Sequence, residues 1–104
     1  NSKMDSDILM IYDKLHESYP ISVNSSLVVS PNFKIDFPIL CGTSSLGKFE
    51  MLFDDVSFAF YAMHDNGEVF AHWHLQTVAD AEKAVIDFMN GKITLVQFGQ
   101  PNNA

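Results

Sequence analysis

Apolar positions along the chain change period three times. Ile8, Ile11, Tyr12, Leu15 and Tyr19 recur at the three-and-four spacing of one helical face. This predicts an amphipathic helix over 6–19, with Asp5 as its N-cap and Met4 and Leu9 placed for a hydrophobic staple. Pro20 closes it. The period then drops to two. Phe33, Ile35 and Phe37 alternate with Lys34 and Asp36, and 49–53 alternates again, as half-buried strands do. Strands are predicted over 26–30, 33–37, 49–53, 56–63 and 68–75, with Ser30-Pro31-Asn32 and Asp54-Asp55 as turns and 42–48 as a loop. The helical period returns at Val78, Ala81, Val85, Phe88 and Met89, bracketed by Thr77 as N-cap and Gly91 just past the end. Asp80, Glu82, Lys83 and Asp87 are expected on its wet side. Residues 93–98 read as a last strand and 99–104 as a frayed tail, while Asn1 to Lys3, ahead of Met4, read as additions to the natural start.

The order α-β-β-β-β-β-α-β in 104 residues predicts one α+β domain spanning 1–104. Its sheet of five to six mainly antiparallel strands would carry both helices on one face and leave the other open.

Asn66-Gly67 tolerates the positive φ of a two-residue type I′ hairpin turn. That register pairs Asp65 with Glu68, Met63 with Phe70, Tyr61 with His72 and Ala59 with His74. Tyr61, Phe70, His72 and His74 then share the open face, and Phe58, Phe60, Ala62, Ala71, Trp73 and Leu75 share the core. A slip of one residue would exchange these sets. His72 and His74, two apart on a strand, could share a metal ion, but a site needs a third ligand. Asp36, Glu50 and Cys41 are the candidates from other strands. The alternative for the two histidines is ordinary: half-buried rings extending an aromatic surface. Gly67, His72 and His74 also resemble part of the first cupin motif. Only four residues separate Gly67 from His72 where that motif has five, Val78 or Ala79 stands at the acid position, and a helix follows; the family is not adopted.

Charge narrows the partners. Thirteen acidic residues face six basic ones, all lysine, for a formal net charge of -7. A chain without arginine lacks the bidentate fork for phosphate or guanine, so nucleic acid is not expected as a partner. A basic protein surface is the better match, since opposite fields speed encounter. Cys41 is the only cysteine, consistent with a reducing, cytoplasmic setting. No apolar run reaches the roughly 20 residues of a membrane span, no signal-peptide core is visible, and no membrane partner is expected. Gly42 to Lys48 matches the start of a phosphate loop, but Phe49 replaces the metal-binding hydroxyl and a strand follows where a helix is required. Cys41 reads as a small buried hydrophobe and Asp54-Asp55 as turn residues. No catalytic set is complete, so the reading leans away from an enzyme and from a cofactor. The expectation is a small acidic binding protein, for which an immunity- or antitoxin-type inhibitor of a basic protein is one concrete form. Its surface would comprise Tyr61, Phe70, His72, His74, Asp54, Asp55, Asp65 and Glu68. The alternative is a zinc or other divalent-metal enzyme or sensor at His72 and His74. Self-association through the same face is a third form.

Overall fold

The structure, a computed structural model, describes the backbone of residues 3–30 and 33–92 and the side chains of 6–24 and 37–92. Helix α1 (Lys3–Leu15) leads into five strands, β1 (Ile21–Ser30), β2 (Phe33–Ser44), β3 (Gly47–Phe53), β4 (Phe58–Met63) and β5 (Val69–Leu75), and helix α2 (Val78–Met89) follows. The strands form one sheet in sequence order, every neighbour antiparallel. This is the α+β architecture that the periodicity predicts. The strand and tail expected over 93–104 lie outside the described residues. Among those described, no helix is long and apolar enough to cross a membrane.

Both helices cover one face. Ile8, Ile11 and Leu15 of α1 and Ala81, Ala84, Val85 and Phe88 of α2 bury against Leu40, Phe49, Met51, Phe58, Phe60, Trp73 and Leu75. Phe49 stacks on Phe60 at 5.1 Å, and Phe88 meets both edge-on at 5.7 Å. Trp73 joins through Phe60 at 6.2 Å. Such offset and edge-on pairs add to the burial of their area. Gly42 is required here, because a Cβ would lie 2.9 Å from Phe49 and 3.1 Å from Ile21.

Several boundaries differ from expectation. α1 begins at Lys3, so Met4 and Asp5 lie inside the helix, Asp5 is not its cap and Met4 does not precede one; Leu9 is exposed. β1 starts at Ile21 and β2 runs on to Ser44, because ladder pairing carries polar residues that no alternation marks. The expected loop over 42–48 is instead a tight hairpin with Ser44 opposite Gly47, and no helix follows it. Thr77 caps α2 as expected, accepting from the Asp80 N–H at 3.1 Å. Gly91 adopts φ +78, and the Lys92 N–H reaches Asp87 O at 2.8 Å, the closing bond of a Schellman motif. Asp87 does not face water: it is buried and pairs with Lys83 at 3.2 Å. It sits beside Phe88, at the boundary of the apolar stripe.

Candidate functional site

The face away from the helices is built by the other residues of each strand. Register lines up Ser22, Cys41, Glu50, Tyr61 and His72 in one row across all five strands. His74 stands opposite Ala59, as expected. Trp73, between the two histidines, is only 5 % exposed and points into the core. The imidazoles therefore lie on the open side, with Tyr61 stacked on His72 at 5.5 Å and His72 edge-on to His74 at 5.2 Å.

The expected turn at Asn66-Gly67 is different in detail. The loop holds three residues, 65–67, closed by His64 N–H to Glu68 O at 2.9 Å and Gly67 N–H to His64 O at 2.8 Å. Gly67 alone takes positive φ, +91, while Asn66 accepts the Glu68 N–H on its side chain. This is a type I turn followed by a left-handed glycine. The extra loop residue would invert β5, but a β-bulge restores it: Ala62 pairs with Ala71, whereas Met63 pairs with Val69 and Phe70 is the unpaired residue. Phe70 therefore does not face Met63, and Asp65 does not pair with Glu68. Phe70 packs instead on His64 at the turn, with ring centres 4.7 Å apart.

At the opposite end of β4, Asp54, Ser57 and His74 form a bracket. Asp54 Oδ1 accepts the N–H groups of Val56 at 3.1 Å and Ser57 at 2.8 Å, and Asp54 N–H closes the reversal on Ser57 O at 3.0 Å. The Ser57 hydroxyl, on a residue only 2 % exposed, lies 2.9 Å from His74 Nδ1 and 3.4 Å from Asp54 Oδ1. Asp54 Oδ2 is 3.7 Å from the same ring nitrogen. A carboxylate only accepts, so the consistent assignment has His74 Nδ1–H donating to Ser57 Oγ and the hydroxyl donating to Asp54. Burial alone would raise the Asp54 carboxyl, but the Ser57 and Val56 N–H groups, His74 and the Ser57 hydroxyl together hold it below the usual carboxylate range. These three residues are not a nucleophilic triad. The serine and the carboxylate address the same imidazole nitrogen, whereas a triad places them on opposite ones.

The expected surface therefore divides. Asp54, Asp55 and His74 lie at one end of β4 and β5, Tyr61 and His72 at mid-strand, and Phe70 two residues beyond His72 towards Asp65 and Glu68 in the turn, the two ends of six-residue β4 being about 20 Å apart. Glu50 and Cys41 do not meet the histidines. Tyr61 stands between Glu50 and His72, and Cys41 lies three strands from β5, about 14 Å. The Asp36 side chain lies outside the described residues. Among the described residues no three histidine, cysteine or acidic side chains converge. Cys41 is not a core residue; its thiol is half-buried on the open face near Ser22 Oγ at 3.3 Å and Asn24 Nδ2 at 3.6 Å, bordering a groove of about 380 Å³ that Lys48 and Glu50 also line. Sequence reading missed Ser57 and Val56. The available signal was an aspartate two and three residues before them, the spacing of a side-chain-closed turn. No family model, curated protein or solved structure matches the chain.

Proposed function

We propose that this chain is a small acidic binding protein whose open face and the turn between β3 and β4 engage a basic protein surface. The observation that carries this reading is the turn at 54–57. Val56 is 76 % exposed at its tip, beside Asp55 at φ +75, yet the Asp54 side chain ties the turn down through two backbone bonds. An apolar side chain held out on a rigid reversal, flanked by carboxylates, loses little freedom on binding and suits the anchor of an interface. Tyr61, His72 and His74 continue the surface. A standard interface covers about 800 Å² per partner, wide enough to reach Phe70, Asp65 and Glu68 as well. The net charge of -7 favours a basic partner, and an inhibitor of a basic toxin or enzyme is the form that fits best. The test is co-purification from the native host, followed by association kinetics with the captured protein. Asp55→Lys/Asp65→Lys/Glu68→Lys should slow association and flatten its salt dependence, and Val56→Asp should speed dissociation. Asp54 is left intact because it holds the turn. A partner that binds both variants as well as the parent chain would refute the reading.

A further inference from the structure

A different observation bears on the imidazoles themselves. The bracket engages His74 through Nδ1, which leaves Nε2 as the ring nitrogen open to a further partner. His72 Nδ1 is shut away from solvent with no hydrogen-bond partner among the described residues, so its open nitrogen is also Nε2. The two ring centres are 5.2 Å apart. Two imidazoles that meet one ion through bonds of about 2.0–2.1 Å at a near-tetrahedral angle bring their ring centres to about 5 Å. Histidines that bind metal commonly donate the other ring N–H to an oxygen acceptor, which fixes the tautomer and raises basicity. Ser57 and the ionised Asp54 stand at that position on His74.

We propose that His72 and His74 form a two-imidazole anchor for a late first-row divalent ion, zinc, nickel or copper, bound through the Nε2 atoms. Imidazole favours these ions over calcium or magnesium, which require oxygen ligands. No third protein donor converges on them among the described residues, so the pair is an open anchor and not a complete protein site, with the remaining positions of the ion left to water or to an incoming donor. Asp54 and Ser57 are positioning residues, acting only through His74. Metal uptake by the isolated chain requires no partner, so this inference and the binding reading can fail independently.

The test is calorimetric titration of tag-free protein with Zn²⁺ alone, repeated with Ni²⁺. One ion per chain is expected. His72→Gln and His74→Gln should each weaken binding roughly tenfold or more, and Ser57→Ala by about tenfold. A His16→Gln/His64→Gln variant should bind as the parent does. Long-range ¹H–¹⁵N spectra of the parent should show the metal-induced shift at Nε2 of both rings, a readout that a purely structural role would not move. Absence of saturable uptake, uptake surviving His72→Gln/His74→Gln, or shifts confined to His16 or His64 would each overturn the proposal.

Discussion

β4 presents Phe58, Phe60 and Ala62 to the helices and Ala59, Tyr61 and Met63 to the other side. Composition hardly separates the two sets, and burial sets apart only Tyr61, since Ala59 and Met63 are buried as well. Phe60 is fully buried among Phe49, Phe88 and Trp73, all in ring contact, while Tyr61 is half-buried and touches His72. One strand thus carries the residue that organises the core and, beside it, a residue the fold can spare. The aromatic cluster lies behind the open face, where Ala59 and Met63 are buried too, so Tyr61 is the position of β4 left free for contact.

The widest separation should appear when each residue is truncated. Phe60→Ala removes the ring at the centre of the aromatic cluster and is expected to cost about 3–5 kcal/mol. Tyr61→Ala is expected to cost about 1 kcal/mol or less. Urea unfolding of both variants, at unchanged denaturant dependence, measures the difference. Equal losses would mean that the open face is structural after all.

The bracket tests whether the site end of that face holds itself together. Asp54→Ala removes the acceptor for two backbone N–H groups and leaves the buried Ser57 hydroxyl with His74 alone. The expected loss is about 1–2 kcal/mol. The pH dependence carries a sign. The Asp54 carboxyl is depressed in the folded chain, so the unfolded chain binds the proton first as pH falls. Its contribution is fully present above the ordinary carboxylate range of about 4 and is lost as pH falls through the lower folded value. Chemical denaturation from pH 6 to pH 2 should therefore show a steeper acid loss in the parent chain than in Asp54→Ala. Parallel curves would show that the carboxylate is not held as its hydrogen bonds imply.

How much of this was legible along the chain follows from which forces are local. Alternation placed Trp73 inward and the imidazoles outward because side-chain period and burial are read from the same residues. Thr77 and Gly91 announced the ends of α2 by their own backbone chemistry. The turn after β4 was visible as a reversal but not in its length. Asn66 satisfies the Glu68 N–H with its side chain in place of adopting positive φ, and the bulge at Phe70 cancels the extra residue. Those two departures offset each other, which is why the faces of β5 came out as expected while Phe70 did not. The bracket was out of reach, since Ser57 and His74 are 17 positions apart and meet only once β4 and β5 are in register.

The finest comparison sets the two reversals that flank β4 against each other. Asp55 holds φ +75 and Gly67 φ +91, so both occupy the left-handed region, one with a Cβ and one without. An L-residue there is strained by about 1 kcal/mol, and glycine is not. Asp55→Gly should therefore stabilise the chain by a few tenths to about 1 kcal/mol, the relief being partly offset by the greater freedom of glycine in the unfolded chain. Gly67→Ala should do the opposite and cost about 1 kcal/mol. No atom lies within 4 Å of a Cβ built at Gly67, so that loss would be backbone strain without a clash. Thermal unfolding of the two variants reads both signs. Stabilisation by Asp55→Gly together with weaker partner binding would mark the strained aspartate as retained for contact. Stabilisation with unchanged binding would leave Val56 and the fixed imidazole as the working parts of that end.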